Sequence, residues 1–360
     1  MMRVALVHDW LVTMGGAERV LEEIAGLFPE APIYTGVVDH QKLSPFLQQR
    51  TIIPSFVQAF PFSHRWYNRY LLFLMYGMEQ FDLSSYDLVI SSSSAVAKGV
   101  LTPAGTRHVS YVHSPMRYAW DLYHEYRTRE ARGLTRHLMG PVFHYVRMWD
   151  RLSADRADTL IANSTTVKRR IEKHYRRLAE VIYPPVAVDR FEVASGPGSY
   201  YLVLSRLVSY KRCDLAIEAA NRLKVPLVVA GEGPERQALE QMAGPTVTFT
   251  GHVADHEVAR LMRQAKALLF PGEEDFGIVP VEVQASGRPV IAYGRGGALD
   301  TVVHQETGWL FGEQTVDAVV AAMEKAEAVD WDPAHIRQNA ERFRPDIFRE
   351  RFRTVALAPT

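Results

Sequence analysis

Residues 200–233, YYLVLSRLVSYKRCDLAIEAANRLKVPLVVAGEG, decide the fold. An apolar run (YYLVLSRLV) gives way to helical apolar spacing (CDLAIEAANRL) and then to a second apolar run (PLVVAGEG). Strand, helix and strand at this spacing predict a βαβ unit, whose two strands lie parallel in one sheet. The rhythm continues through ERQALEQMA, VTFTGHV, HEVARLMRQA, ALLFPGEE, GIVPVEVQAS, RPVIAYGRGG and TGWLFG. Upstream it is looser: RVALVHDW precedes GGAERVLEEIAGLF, and DLVISSSS, HVSYVH and TLIANS follow. The expectation is an α/β chain of two doubly wound domains, with YPPVAVDRFEVASGPGSY (183–200) as the linker.

Length agrees, because 360 residues exceed the roughly 250–300 that one core supports. Apolar residues make up 47% and charged residues 23%, which excludes global disorder. Lysine plus arginine and aspartate plus glutamate both number 41, so no overall charge draws the chain to nucleic acid, and partners must be sought in local patches. The single cysteine, Cys213, has no disulfide partner, and MMRVALVHDW lacks the apolar core of a signal peptide. WYNRYLLFLMYGM (66–78) is interrupted by Arg69 and is shorter than a membrane span. A cytoplasmic location is the expectation.

Ligands of doubly wound sheets bind beyond the carboxyl ends of the strands, so candidate chemistry lies at strand-to-helix junctions, in a cleft if two such edges face each other. Gly15 and Gly16 follow the first strand and open a helix, where bare N–H groups suit a phosphate. A tight turn explains them equally, and the three-glycine dinucleotide spacing is absent. Arg206 and Lys211 sit at a strand end and just before a helix. They read either as two cations converging on a diphosphate or as solvated surface charges. His113, in YVHSPMRYAW, either faces a ligand or is a structural imidazole. GRGGALD (294–300) is a further glycine turn at a helix start and a second candidate for backbone contact with an anion.

PGEEDFGIVPVE (271–282) carries more. Glu274 follows a strand, and FGIVPVE then enters a helix in whose first turn alone Pro280 is tolerated. That leaves the N–H groups of Phe276, Gly277 and Ile278 free for a ligand, with Glu282 about one turn on. Two carboxylates among free donors suit a hydroxyl-rich ligand, although acids also decorate helix starts for the dipole alone. The 13 histidines are scattered and show no zinc spacing, and neither a Walker loop nor a nucleophile elbow is present.

Taken together, GGAERV, SRLVSYKRCDLAIEA, VVAGEGPE, TFTGHV and EDFGIVPVE resemble the retaining glycosyltransferases of family 4, densely over 200–310 and loosely over 30–150. The resemblance implies a GT-B fold: an acceptor-binding domain over 1–185, completed by a C-terminal helix at about 341–360, and a donor-binding domain over 186–340. It implies that Arg206 and Lys211 hold the donor diphosphate and that Glu282 binds the ribose. Glu274 would meet the transferred sugar, with the backbone of Phe276, Gly277 and Ile278. Gly251 and Val253, Gly15 and Gly16 would line the rest of the donor site, and His113 would face the sugar. HSPMRYAWDLY (113–123) is similar to bacterial mannosyltransferases of O-antigen and exopolysaccharide assembly. That similarity points to GDP-mannose as donor and to Arg117, Tyr118 and Trp120 near a polyprenyl-diphosphate-linked acceptor, with no metal or other cofactor. The mixtures of arginine and aromatics in 62–76 and 127–151 suit either peripheral attachment to an anionic membrane or ordinary helix packing. The rival readings are a UDP-sugar-dependent transferase of the same family, an epimerase, or a non-catalytic nucleotide-sugar binder.

Overall fold

The computed structural model describes residues 2–124 and 134–358, with backbone alone for 134–138. The chain divides into two compact units, residues Met1–Tyr183 with Phe348–Thr360, and residues Pro184–Ile347.

The first unit holds a seven-stranded sheet: β1 (Val4–His8), β2 (Ile33–Thr35), β3 (Ile52–Pro54), β4 (Leu88–Ser93), β5 (Arg107–Val112), β6 (Thr159–Ala162) and β7 (Glu180–Val181). Their order is β3-β2-β1-β4-β5-β6-β7, and every pairing is parallel. The second holds β8 (Tyr200–Leu204), β9 (Leu227–Ala230), β10 (Val247–Gly251), β11 (Ala265–Phe270), β12 (Val290–Tyr293) and β13 (Gly308–Phe311) in the order β10-β9-β8-β11-β12-β13, again all parallel. All six strands of the second unit were legible as apolar runs. The short strands β2, β3 and β7 of the first were not, because two or three residues carry no period.

Both faces of the first sheet are covered, which is why its strands read as continuous apolar runs. In β1, Leu6 enters one core with Ile33, Ile90 and Tyr111, whereas Ala5 and Val7 enter the opposite core with Tyr34 and Val89. Helix Gly16–Leu27 buries Val20, Leu21, Ile24 and Ala25, the single apolar stripe that its spacing dictates.

Helix Pro333–Glu341 stays with the second unit: Asn339 Nδ2 donates to Gln284 Oε1 (2.6 Å) and to the Thr301 carbonyl (2.9 Å). Pro345 then opens helix Pro345–Ala356, whose Phe348, Phe352 and Ala356 are buried in the first unit's core against Leu6 and Ile24. Phe348 meets the Tyr111 ring edge-on at 5.8 Å, and Arg349 pairs with Glu23 at 3.0 Å. The expected return of the last helix to the first domain therefore begins at Phe348.

Phe352→Ala is expected to remove about 3–5 kcal/mol from the first unit, read as an earlier urea midpoint in a signal from that unit. Phe343→Ala, in the second unit, would leave that midpoint in place.

Candidate active site

Strand order reverses once in each sheet, between β8 and β11 in the second unit and between β1 and β4 in the first. At such a switch point the loops leaving the two strands turn to opposite faces and open a crevice beyond their carboxyl ends.

The second unit's reversal gathers three of the sequence-predicted residues. Arg206 lies two residues past β8 and is exposed. Lys211 closes a short 3-10 turn before helix Cys213–Leu223, and its Nζ donates to Oε1 of Glu274, four residues past β11. The two loops abut at the backbone: a Cβ added to Gly272 would stand 2.7 Å from the Lys211 Cα. A recess between them is lined by Ser205, Lys211, Cys213, Pro271 and Gly272.

The acidic loop is held from below. Gly297 N donates to the Glu274 carbonyl (2.8 Å), and a Cβ on Gly297 would meet the Phe276 backbone at 2.1 Å. The glycines of GRGGALD thus serve close packing under the loop. The helix they open, Ala298–Thr301, has only four residues, so the expected second anion site there is replaced by this packing role. Gly277 sits at φ 86°, a conformation costly for any residue with a Cβ, and caps helix Ile278–Ala285 with Pro280 in its first turn. The Gly277 and Ile278 N–H groups make no hydrogen bond among the described residues. Phe276 offers only backbone, because its ring is buried edge-on against Phe343 at 5.4 Å. Glu282 is 9% exposed within the same helix. Gly251 ends β10 and Val253 follows it, at the edge of the sheet, two strands from β8.

In the first unit, His113 follows β5 and accepts or donates at Nε2 to Ser92 Oγ (2.8 Å), with the Tyr111 ring 5.1 Å away. Burial, reinforced by the neighbouring His8, drives its pKa down to about 3, so the imidazole is neutral. Sequence reasoning missed its neighbours. His8, the last residue of β1, lies 3.7 Å from the Glu18 carboxylate. Glu18 also accepts the Gly15 N–H (2.9 Å), the amide offered to a phosphate at the sequence level. Burial alone would raise the Glu18 pKa, but His8 and the Gly15 amide outweigh it and hold the carboxyl below its usual value. Asp9, at the strand end in HDW, accepts the Ala95, Val96 and Ala97 amides at 2.7–3.0 Å and fixes the loop after β4. A polar pair at the end of the first strand was the available signal.

The fixed loop leads to buried Lys98, which pairs with Asp150 (2.5 Å). Asp150 also accepts Trp120 Nε1 (2.7 Å) and the Tyr175 hydroxyl (2.9 Å), so the buried ion pair is fully hydrogen-bonded. Trp120 stacks on His174 at 4.4 Å, Tyr118 meets Phe143 edge-on at 6.0 Å, and Arg117 is partly buried. The structure therefore commits the Trp120 indole N–H internally. Of the arginine-rich stretch 127–151, residues 127–133 lie outside the described residues.

Residues 188–343 match the family Glycosyl transferases group 1, and residues 14–190 match Glycosyltransferase Family 4. The chain is 29% identical to human alpha-1,3/1,6-mannosyltransferase ALG2, over 43% of this chain and 46% of that protein. It is 30% identical to the GDP-mannose-dependent alpha-(1-6)-phosphatidylinositol monomannoside mannosyltransferase of Mycobacterium tuberculosis, over 48% of this chain and 53% of that one. The chain spans about half the length of these relatives. Anabaena HepE, solved with UDP and glucose, superposes with a TM-score of 0.72 at 19% identity over all of both chains. Sucrose-phosphate synthase from Thermosynechococcus elongatus does so at 0.74 and 17%, over 99% of this chain and 98% of that one. Identities this low establish the fold alone.

Burying neutral histidines makes stability pH-dependent. Burial lowers His108 to about 4 as well, and an unfolded histidine titrates near 6.5, so below that pH the unfolded state binds more protons and stability falls with pH. Each such histidine is expected to cost about 1.4 kcal/mol per pH unit between 6.5 and its folded value. Melting curves at pH 7 and 5 should separate, and His108→Gln should narrow the gap.

Proposed function

The chain belongs to the family 4 glycosyltransferases, of GT-B fold, and we propose that it moves mannose from GDP-mannose onto a polyprenyl-diphosphate-linked saccharide. One observation carries this reading: an ammonium and a carboxylate, Lys211 and Glu274, meet at the strand reversal of the second unit. A sugar nucleotide has the two halves such a pair needs, a diphosphate for the cation and sugar hydroxyls for the carboxylate.

In the proposed complex Arg206 and Lys211 hold the diphosphate, Glu282 takes the ribose hydroxyls, and Glu274 takes the sugar with the Gly277 and Ile278 amides. The bond between the sugar's anomeric carbon and the diphosphate oxygen breaks through an oxocarbenium-like state. The acceptor oxygen bonds to that carbon on the same face, and its proton leaves on the diphosphate. Negative charge grows on the leaving group, where two fixed cations stabilise it more than they stabilise the ground state. In the first unit, neutral His113 can make a hydrogen bond to a ligand without adding a charge. Mannose is favoured because two relatives, matched over 43% and 48% of this chain, are named mannosyltransferases, one of them GDP-mannose-dependent.

GDP-mannose at 100 times its dissociation constant is expected to add about 2.7 kcal/mol of stability, read by thermal shift. Stabilisation by UDP-sugars alone would reassign the donor, and by no nucleotide sugar would remove the reading. Lys211→Ala and Glu282→Ala are each expected to weaken donor binding by about 1.5–3 kcal/mol, tenfold or more, whereas Glu274→Ala mainly lowers kcat. Wild-type transfer by Lys211→Ala would overturn the site assignment.

A further inference from the structure

The amino ends of the second unit's strands frame a cavity of about 240 Å³, at the opposite edge of the sheet from Arg206, Lys211 and Glu274. The loops before β8 and β12, the first residues of β11 and the end of helix Val316–Glu327 enclose it. Its walls are apolar: Pro197, Ala267, Ile291, Val329 and the rings of Tyr201 and Trp331. Trp331 is fixed in place by its Nε1, which donates to the Ala326 carbonyl (2.9 Å).

The polar groups converge at one point. Lys266 Nζ donates to Glu327 Oε1 (2.6 Å), the Tyr201 hydroxyl donates to Glu327 Oε2 (2.7 Å), and the ammonium lies 5.9 Å from the centre of the Tyr201 ring. The backbone is shaped to put them there. β11 pairs with β8 through Ala265 with Tyr200 and Ala267 with Tyr201, which leaves Lys266 as an extra residue, and a bulge of this kind re-aims a side chain. Gly198 packs against that step, where an added Cβ would stand 2.3 Å from the Lys266 N. Glu327 is the last residue of its helix, a position at which the macrodipole disfavours a carboxylate. Lys266 first and the Tyr201 hydroxyl next compensate, and hold its carboxyl below the usual pKa. Part-exposed ion pairs add little to stability, so stability does not account for this arrangement.

Chemistry selects the ligand. An apolar pocket with a few convergent polar groups is the usual form of a small-molecule site, and a volume below the about 300–1,000 Å³ of larger sites suits one small ring system. Lys266 and Glu327 are both open to solvent at the mouth. Among the described residues the ammonium uses one of its N–H donors, on Glu327, and each carboxylate oxygen accepts one hydrogen bond, so both groups keep capacity for a ligand. A lone anion would face Glu327, and a lone cation would face Lys266. A ligand that carries both charges side by side meets each with its opposite.

We infer that this cavity is a binding site for a zwitterionic aromatic compound of the α-amino-acid type, with its ring against Tyr201 and Trp331, its carboxylate on Lys266 and its ammonium on Glu327. The site is separate from the candidate donor site and does not rest on the proposed transfer reaction.

Isothermal titration calorimetry of the full chain tests it with three indoles that differ in charge: L-tryptophan, indole-3-propionate, which lacks the ammonium, and tryptamine, which lacks the carboxylate. L-Tryptophan is expected to bind about tenfold tighter than either, the effect of one charge-assisted contact. Lys266→Met should abolish its advantage over tryptamine, Glu327→Gln should abolish its advantage over indole-3-propionate, and Trp331→Ala should weaken all three. Circular dichroism melting curves check that each variant folds, and if Trp331→Ala does not, the two charge variants decide alone. Three results would overturn the inference: no binding of any of the three indoles, binding of either single-charge indole as tight as that of L-tryptophan, or L-tryptophan binding that neither Lys266→Met nor Glu327→Gln changes.

Discussion

Every strand in both sheets runs parallel to its neighbours, and the rest of the structure depends on that constraint. A parallel pair cannot be closed by a tight turn, so each strand must be followed by a crossover, and all the strand-to-helix loops collect along one edge. Strand order then has to reverse somewhere, and the two loops that part at the reversal leave space between them. Lys211 and Glu274 are 63 positions apart in the chain, yet they meet because one loop leaves β8 and the other leaves β11. The same rule brings His8 and Ser92 to adjacent places at the ends of β1 and β4.

The two reversals are furnished differently. In the second unit the loops present opposite charges at partly exposed positions and rest on glycine contacts from the 294–300 loop. That arrangement holds a backbone shape while leaving the Lys211–Glu274 pair partly exposed to a ligand. In the first unit the charged groups are buried and paired internally: Asp9 caps a run of amides, Glu18 caps Gly15, and Lys98 is neutralised by Asp150. Charges buried in this way position neighbouring loops, because removing one partner would strand the other.

Helix Pro345–Ala356 is a further consequence of burial. Its aromatic side chains fill space beside Tyr111 and Ile24 in the first unit's core, so the chain's last turn of helix supports a sheet whose strands were made more than 150 residues earlier.

What the sequence determined by itself was periodicity and punctuation. The apolar runs and helical stripes of 200–311, and the break at Pro345, named the elements because period and turn chemistry are local properties. The spacing of Glu274, Gly277, Pro280 and Glu282 likewise anticipated a helix start with Pro280 in its first turn. The tertiary structure alone decided what met what. Gly297 reads as an anion-binding turn until it is found beneath Phe276. Trp120 is expected near an acceptor from its motif alone, and only the structure shows its N–H on Asp150. Lys98 carries no signal at all, since a lysine inside a core is legible only once its carboxylate partner, 52 residues away, is seen beside it. Pairing across such distances is set by sheet order and burial, and neither is a property of any stretch read on its own.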